Sequence, residues 1–302
     1  MISPSEHRNR LQTLAGFLRD NLRGQDRVID RAAAIFHRGE LGLVSRDRPR
    51  GIFLAVGPTG TGKTELVLLS ARHVFGEAAV CRIDLSEFQR ADAVERLLGT
   101  DSHDPGTLGR MLGEARPLVL LFDELEKAHP KVFDLFIQML DPGQVTLATG
   151  RRIDLSDCYI AFTSNLGAAE AARMTRSNFA SVEQAILRRL GDSLRPEFLA
   201  RISEKLVFAP LSPAVQREIG ELHVDKEVAR LRQHGFDLEV TGEALEFLLR
   251  QGCDPRLGAR PMRQTIERQL QDLVVHGLFA SGHGGGRVGL DPASSRLVLE
   301  SD

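Results

Sequence analysis

The sequence predicts an α/β fold in which a five-stranded parallel sheet lies between helices and a smaller, mostly helical domain follows. Two observations support this prediction. Nearly continuous apolar segments alternate with helical segments between residues 51 and 208, and strands that are apolar throughout are typical of a parallel sheet covered on both faces. After PLSP (210–213) the alternation gives way to a mostly helical pattern. We therefore expect a large domain over residues 1–210 and a small domain over residues 211–302.

The elements of the large domain are expected in a βα order after two initial helices. Those two helices lie within residues 8–44, and the second has apolar residues at helical spacing from Val28 to Phe36. The expected strands are GIFLAV (51–56), VCRIDL (80–85), LVLLF (118–122), CYIAFTSN (158–165) and EKLVF (204–208). The helices between them are expected to end near Val74 and Leu98, to form a short segment before the third strand, and to cover Lys131 to Leu140.

The small domain is expected to be helical to about Phe279, with one long stretch from Pro261. It closes with the glycine-rich turn SGHGGG and two short strands, RVGL and RLVLE, which form a terminal β element. His283 lies in this turn without another potential ligand nearby, so the segment indicates a turn rather than a metal site.

Composition excludes several classes of protein. The chain has 39 basic and 41 acidic side chains and a formal charge of −2, which gives no support to bulk electrostatic binding of nucleic acid or of an anionic membrane. The apolar runs are too short to span a bilayer, and the polar N-terminus lacks a secretory core. The 3 cysteines are widely separated, which favours small buried side chains in a reducing compartment. We therefore expect a cytoplasmic protein.

A phosphate-binding loop follows the first strand. GPTGTGKTE (57–65) has the spacing G-x-x-x-x-G-K-T between a strand and a helix. Glycines allow the backbone to direct N–H groups at a phosphate, at the positive end of the helix that follows. Lys63 is expected to contact the outer phosphates of ATP, and the Thr64 hydroxyl is expected to bind Mg²⁺. The predicted cofactor-binding residues of this loop are Pro58, Thr59, Gly60, Thr61, Gly62, Lys63 and Thr64.

Two adjacent acids end the third strand, in LVLLFDELEKAHP. A carboxylate at the carboxyl end of a central strand lies beside the phosphate loop in this type of fold. Asp123 is therefore expected to hold Mg²⁺, directly or through water. Glu124 follows it and is expected to polarise the attacking water. Two acids after five apolar residues are costly unless a cation and a reaction require them.

These and further motifs resemble the AAA+ ATPases, and more closely the second ATPase ring of the Clp/ClpB chaperone ATPases. The resemblance covers nearly the whole chain. Besides the phosphate loop, its motifs are LRGQDRVID (22–30), RIDLSEF (82–88), FDELEKAHPKVFD, FTSNLG, LRPEFLARISEKLVF (194–208) and DPRLGARPMRQTIE (254–267). The resemblance implies an ATP-hydrolysing protein whose small domain acts as a lid on an AAA+ large domain.

The resemblance also implies roles for individual residues. Val28 and Ile29 correspond to contacts with the adenine base, and Asn165 corresponds to the sensor-one residue that orients water near the γ-phosphate. Arg260 corresponds to the sensor-two arginine, which ties the lid to nucleotide state. Arg201 corresponds to the arginine finger, which reaches the neighbouring subunit's site and offsets charge in the transition state. A finger in trans implies a homo-oligomer, as a hexameric ring or a related head-to-tail assembly.

One loop departs from the family pattern. GTDSHDPGTLG (99–109) occupies the position of the pore loop, where the threading chaperones carry an aromatic residue that grips polypeptide. This loop has no aromatic residue, and the single tyrosine of the chain, Tyr159, lies in an expected strand. No first ATPase ring precedes the site, so we expect a stand-alone, single-ring chain.

Three interpretations of the biological role stay open. The first is a motor that remodels a protein partner without aromatic-loop threading. The second is a nucleotide-gated assembly or scaffold whose ATP hydrolysis sets the lifetime of a complex. The third is general threading, with Leu108 or the second loop near Gln144 to Arg152 as the substrate contact. Arg151 and Arg152 in that second loop are interpreted as a solvated face.

Overall fold

The computed structural model describes residues 3–114, 118–174, 177–252, 259–282, 284–291 and 294–300. The chain divides into two units: the first comprises residues up to Pro58 and from Gly62 to Pro210, and the second comprises Thr59–Thr61 and the residues from Leu211 onward. Each unit has an apolar core of its own. The two units are therefore described separately.

The first unit combines helices with a central sheet and a hairpin. Its helices are α1 (Pro4–Asn21), α2 (Asp26–Glu40), α3 (Lys63–Phe75), α4 (Ala93–Leu98), α5 (Gly106–Glu114), α6 (Val132–Leu140), α7 (Ala168–Arg173), α8 (Phe179–Ser193) and α9 (Pro196–Arg201). Its strands are β1 (Gly51–Val56), β2 (Val80–Asp84), β3 (Val119–Asp123), β4 (Gln144–Thr146), β5 (Arg152–Asp154), β6 (Tyr159–Ser164) and β7 (Glu204–Val207).

The central sheet confirms the predicted fold class. Within the described residues its five strands are ordered β2-β3-β6-β1-β7, and every neighbouring pair is parallel. In the register of β1 against β6, Val56 lies opposite Ser164. Because β6 lies between β1 and β3, the carboxyl ends of these three strands meet at one edge of the sheet. The phosphate loop, Asp123 and Asn165 all follow those ends.

Both faces of the sheet are buried, as the continuous apolar strands predicted. All residues of β1, β3 and β6 are buried. Successive side chains of a strand point to opposite faces, so Ile52 and Leu54 pack in one apolar cluster while Phe53 and Ala55 pack in another. Helices α1, α2 and α3 cover the second face with residues such as Phe36. A fully buried leucine or phenylalanine contributes about 1.5–3 kcal/mol relative to an exposed one.

The single tyrosine lies in the core of this unit. Tyr159 is the first residue of β6 and is fully buried. Its ring stacks on Phe36 with a centroid separation of 4.7 Å, and its hydroxyl donates to Glu40 Oε1 at 2.9 Å. Burial and the neighbouring Glu40 carboxylate raise the pKa of the Tyr159 hydroxyl. The prediction that Tyr159 lies in a strand is therefore confirmed, and this ring is not available to grip a polypeptide.

Both units contain short strands that the sequence did not predict. Strands β4 and β5 form an antiparallel hairpin in which Val145 lies opposite Ile153. Each of them contains 3 residues, which is too short for an alternating pattern to emerge from the sequence. In the second unit the strand β8 (Leu238–Val240) is equally short.

The second unit is mostly helical, as predicted. Its helices are α10 (Pro213–Gln233), α11 (Gly242–Gly252) and α12 (Arg260–Ser281), and its strands after β8 are β9 (Gly286–Asp291) and β10 (Arg296–Glu300). Strand β9 pairs with β10 in antiparallel and with β8 in parallel orientation. Helices α10 and α11 approach closely at Gly220, where an added Cβ would lie 1.9 Å from Leu249 Cδ2. A larger residue at this position would require the side chains of Leu249 and Met262 to shift.

The PLSP segment that marks the end of the predicted large domain has a specific local structure. Ser212 precedes α10 in an extended conformation, and its hydroxyl accepts a hydrogen bond from Val215 N at 3.3 Å. Pro213 occupies the first turn, where a missing N–H costs nothing. A serine cap followed by proline is therefore the physical reason that a helix begins here.

Two further sequence-based expectations concern membrane segments and cysteines. Among the described residues, no helix combines the length and apolar character needed to cross a membrane. Cys81 and Cys158 are buried and form no disulfide bond with each other, and burial raises the pKa of each thiol to about 11. Cys253 and His283 lie outside the described residues.

His223 is a half-buried imidazole on α10 of the second unit. Its pKa is lowered from 6.5 to about 4, chiefly by burial and in addition by Lys226 on the same helix and Arg263 on α12, while Glu267 on α12 acts in the opposite direction. The folded state therefore holds neutral His223 between pH 6.5 and about 4, where the unfolded chain binds a proton. Stability must fall as the pH is lowered through this window.

We expect His223→Gln to weaken that pH dependence, because glutamine does not titrate. The free energy of unfolding of the wild type should drop more between about pH 7 and pH 5 than that of the variant. Urea unfolding followed by circular dichroism measures this difference. His276→Gln, at an exposed position on α12, is the matched control. Equal losses of stability in the wild type and in His223→Gln would contradict the prediction.

Candidate functional site

The phosphate loop joins β1 to α3 through backbone conformations that favour glycine. Gly57 has φ 145° and Gly62 has φ 98°, both in the region that L side chains rarely adopt. An added Cβ on Gly57 would lie 2.5 Å from Phe208 O. Helix α3 begins at Lys63 without a side-chain cap, and an uncapped helix N-terminus attracts an anion.

Lys63 connects this loop to the end of β6. Its side chain is buried, and its ammonium donates to Gly57 O at 2.9 Å, to Pro58 O at 2.7 Å and to Asn165 Oδ1 at 2.9 Å. These acceptors are neutral groups, and they hold the cationic ammonium at the mouth of the loop. Thr59, Gly60 and Thr61 complete the loop between Pro58 and Gly62.

Asp123 is the buried acid of the site. It is 5% exposed and accepts hydrogen bonds from Thr64 Oγ1 at 3.1 Å and from Arg82 Nη2 at 2.5 Å. Thr163 Oγ1 donates to Asp123 Oδ1, whereas Arg82 contacts Oδ2. A buried carboxylate requires such partners, because an unpaired one loses its hydration without compensation.

Mg²⁺ fits the oxygen donors that converge here. Thr64 Oγ1 lies 3.1 and 3.3 Å from the two carboxylate oxygens of Asp123, so a hydroxyl and a carboxylate share one small region. Mg²⁺ prefers oxygen ligands and is held in such sites by one or two protein groups together with phosphate and water. Asp123 and Thr64 are therefore suited to the metal role that the sequence predicts for them.

Glu124 has an unusual backbone conformation. It follows β3 with φ 59° and ψ 52°, the left-handed region that is uncommon for residues other than glycine. Its N–H donates to Thr163 Oγ1 at 3.2 Å, which helps to hold that conformation. Backbone strain of this kind costs about 1–3 kcal/mol and is concentrated at functional sites. The position of the Glu124 carboxylate therefore depends on this left-handed backbone conformation as well as on the direction of β3.

Asn165 is positioned by a residue that the sequence analysis did not single out. Its backbone N and its Nδ2 donate to Glu126 Oε1 at 3.1 and 3.0 Å. Glu126 lies in the short 3₁₀ turn after β3. The sequence did not predict a role in the site for three of these residues: Thr163, Arg82 and Glu126. The only sequence feature that could have indicated such a role is that each lies within or beside a recognised motif.

The predicted adenine contacts lie at the start of α2. Val28 is 3% exposed and Ile29 is fully buried, and both belong to the apolar cluster under the sheet. The preceding Gln25 forms a reciprocal pair with Ala209: Gln25 Nε2 donates to Ala209 O at 3.0 Å, and Ala209 N donates to Gln25 Oε1 at 3.2 Å. Gln25 was also missed by the sequence analysis. The role of Val28 and Ile29 as base contacts stays a prediction.

The two predicted arginines lie in different parts of the chain. Arg201 ends α9, donates through Nη1 to Glu197 O at 2.9 Å, and has a buried Nε without a hydrogen-bond partner among the described residues. Arg260 is the first residue of α12 and is exposed. Residues 254–258 of its motif lie outside the described residues. The hydrogen bonds of Arg201 do not join it to Lys63 or Asp123 of its own chain.

The loop at the pore-loop position is shorter than predicted and closed on itself. Helix α5 begins at Gly106, so only residues 99–105 form the loop. Asp104 accepts from Thr100 N at 3.2 Å and from Gly106 N at 3.0 Å, and these bonds lower the pKa of its carboxyl. An added Cβ on Gly99 would lie 1.7 Å from Asp104 O. The loop thus forms a tight turn with a polar tip.

The structure corrects one suggestion about substrate contacts. Leu108 lies within α5 and is fully buried in the core, so the suggestion that it contacts a substrate is wrong. The second loop is the tip of the β4–β5 hairpin, where Ala148 N donates to Leu98 O at 2.9 Å. Arg151 and Arg152 are exposed there, as predicted for a solvated face.

The fold and the site together define a class of protein. A glycine-rich loop between the first strand and a helix, a lysine at its end, and a buried aspartate two strands away identify a P-loop nucleoside triphosphatase. In the strand order, β6 lies between β1 and β3. Asn165, which follows β6, therefore contacts Lys63 of the phosphate loop on one side and Glu126 after β3 on the other.

Comparison with known proteins defines the family. The AAA domain (Cdc48 subfamily) matches residues 48–205, and the C-terminal, D2-small domain of ClpB protein matches residues 211–286. The chain belongs to the AAA+ family and is of the Clp/ClpB type. This confirms the resemblance that the motifs indicated.

Individual relatives support the same conclusion. The chain is 36% identical over 286 residues to chaperone protein ClpB 2 of Nostoc sp., covering 91% of this chain and 32% of that protein. It is 36% identical over 290 residues to the ATP-dependent Clp protease ATP-binding subunit ClpC of Staphylococcus epidermidis, covering 89% of this chain and 35% of that protein. The chain therefore spans about a third of the length of the curated relatives it matches.

We expect Lys63→Ala to abolish tight nucleotide binding, because it removes the cationic centre of the loop and leaves the two loop carbonyls without their donor. Titration with a fluorescent ATP analogue in the presence of Mg²⁺ measures the affinity, and a loss of about 100-fold or more is expected, in line with a fully lost charge-assisted contact. Lys131→Ala, at an exposed position before α6, is the control. Retained tight binding by Lys63→Ala would contradict the site.

Proposed function

We propose that this chain binds and hydrolyses ATP in a Mg²⁺-dependent reaction. The observation that carries the proposal is the convergence of Lys63, Asp123 and Asn165 at the carboxyl ends of three adjacent strands. Each of these side chains has hydrogen-bond partners that hold it before a nucleotide arrives. Such preorganisation is the main source of catalysis in phosphoryl transfer.

Each predicted residue has a chemical role in this proposal. Thr64 and Asp123 would hold Mg²⁺, which would neutralise charge on the phosphates. Lys63 and the loop N–H groups bind the outer phosphates. Glu124 accepts a proton from the attacking water, and Asn165 helps to orient the reacting groups. Val28, Ile29 and the second unit's Arg260 complete nucleotide recognition, as the family resemblance implies.

We also propose that the site is completed by a second copy of the chain. Arg201 bonds to its own helix rather than to the phosphate loop of the same chain, and its Nε has no partner among the described residues. A guanidinium that completes a neighbour's site would offset the charge that develops in the transition state. The resulting homo-oligomer is a ring or a related head-to-tail assembly.

We expect a mixture of two inactive variants to recover ATPase activity. Glu124→Gln should bind ATP, turn over poorly and accumulate the assembled form, and Arg201→Ala should assemble but lack the finger. Where an intact Arg201 from a Glu124→Gln chain meets an intact Glu124 in an Arg201→Ala chain, a complete site forms. Steady-state ATPase assays on equimolar mixtures measure this recovery.

Two results would count against the arginine in trans. One is an Arg201→Ala variant that hydrolyses ATP as fast as the wild type under assembling conditions. The other is a mixture with no more activity than the sum of its parts. Exposed Arg195→Ala, on the residue that precedes α9 and pairs with Asp134, serves as a matched control for loss of a nearby arginine.

The biological output that we propose is the remodelling of a protein partner without aromatic-loop threading. The tip of the loop at 99–105 carries polar side chains, whereas a large aromatic surface would be required to grip unrelated polypeptides. A second candidate is a nucleotide-gated assembly whose hydrolysis sets the lifetime of a complex. The closed, self-bonded form of the loop favours this second candidate over general threading.

We expect an unfolded polypeptide to raise the ATPase rate if the chain is a remodelling motor. The measurement compares hydrolysis with and without a permanently unfolded protein, alongside the mass of the assembly with a slowly hydrolysed ATP analogue. Ser102→Tyr adds an aromatic ring at the exposed tip of the loop and should increase the stimulation, with Ser102→Ala as control. ATP-dependent association without any stimulation would favour the scaffold instead.

A further inference from the structure

Glu126 stands out among the acids of the site because all of its hydrogen bonds go to the end of β6. Its Oε2 accepts from Ser164 Oγ at 2.7 Å, and its Oε1 accepts from Asn165 N at 3.1 Å and from Asn165 Nδ2 at 3.0 Å. Among the described residues it has no cationic partner within ion-pair distance. Its carboxylate therefore contacts Ser164, the last residue of β6, and Asn165, which follows it.

This arrangement determines how the Asn165 side chain is oriented. An ionised carboxylate only accepts hydrogen bonds, and an ammonium only donates them. Asn165 lies between one of each: Nδ2 donates to Glu126 Oε1 at 3.0 Å, and Oδ1 accepts from Lys63 Nζ at 2.9 Å. A flipped amide would place oxygen against the carboxylate and NH₂ against the ammonium. Both contacts would then be repulsive, so a single orientation is favoured.

The orientation has a consequence for the phosphate site. With its nitrogen held by Glu126, Asn165 presents an oxygen to Lys63 and so helps to direct the ammonium toward the mouth of the loop. Without the carboxylate, rotation of the amide by half a turn would offer Lys63 a donor instead of an acceptor. The lysine would then lose the Asn165 acceptor, while Gly57 O and Pro58 O would still accept from it.

We propose that Glu126 is a positioning residue for ATP hydrolysis, which acts by holding the Asn165 amide with its oxygen toward Lys63. This inference rests on the proposed ATPase function. Glu126 itself touches neither the phosphate loop nor Asp123 through the hydrogen bonds that it forms. Its effect therefore passes through Asn165, and a double-mutant cycle is the direct test.

The first experiment measures kcat and KM for ATP in Glu126→Ala, Asn165→Ala and the double variant. We expect Glu126→Ala to lower kcat by about 10-fold or more, within the range that a misplaced catalytic group costs, while KM changes much less. In the Asn165→Ala background the same substitution should have almost no further effect. Glu126→Gln keeps one acceptor for Asn165 and should recover most of the rate. Exposed Glu95→Ala on α4 is the control for loss of a carboxylate.

A second set of variants tests the inference if Glu126→Ala folds poorly. It exchanges the amide and the carboxylate between positions 126 and 165. Asn165→Asp places a second carboxylate against Glu126 and should lower kcat strongly. Adding Glu126→Gln supplies a donor to that new carboxylate while an oxygen still faces Lys63, so the double variant should be faster than Asn165→Asp alone. A double variant that is no faster than Asn165→Asp overturns the inference, as does a full effect of Glu126→Ala in the Asn165→Ala background.

A second readout does not depend on turnover. In nucleotide-free protein, the side-chain NH₂ signals of Asn165 in a ¹⁵N–¹H spectrum should lie apart from those of exposed amides and should move toward them in Glu126→Ala. An unchanged signal in Glu126→Ala overturns the inference even if the wild type does not hydrolyse ATP. Absent hydrolysis by an assembled wild type with the Asn165 signal shifted as expected would instead contradict the proposed function.

Discussion

The hydrogen bonds between the ends of β3 and β6 are the constraint on which the rest of the site depends. The Thr163 hydroxyl donates to the Asp123 carboxylate and accepts from Glu124 N, so one side chain fixes both acids. Glu126, two residues after Glu124, accepts hydrogen bonds from Ser164 Oγ at the end of β6 and from Asn165 N just after it. A hydrogen bond to a charged group of this kind contributes about 1.5–3 kcal/mol. The same hydrogen bonds that position the site residues therefore also stabilise the contact between the ends of β3 and β6.

Much of the fold follows from local sequence patterns. The strands that form the central sheet were predicted to within about one or two residues, because each is apolar throughout and ends at a turn or a helix. The hairpin of β4 and β5 was not, since 3-residue strands have no periodicity to detect. The start of α5 was also misplaced, because GTLG after Pro105 resembles a loop while its Leu108 is held in the core. Burial of Leu108 in the core therefore accounts for the helical structure of this segment, and the local sequence does not indicate that burial.

The site was predictable where a motif carries its own chemistry. Lys63, Thr64 and Asp123 lie close together because the spacing of the loop and the strand order leave little freedom. The left-handed backbone of Glu124 was not predictable, because nothing in an Asp-Glu pair indicates a positive φ. Thr163, Glu126 and Arg82 were not predictable either. Their importance comes from contacts between strands that are distant in sequence, and a sequence alone does not measure such contacts.

The buried tyrosine has a practical consequence. The chain has 1 tyrosine and no tryptophan, and Tyr159 lies in the core of the first unit with its hydroxyl bonded to a carboxylate. The tyrosine fluorescence of the native protein therefore comes from one ring in the core of the first unit, and we expect its intensity to change when the sheet unfolds. The second unit contains neither tyrosine nor tryptophan, so a tryptophan introduced there would give that unit a separate signal.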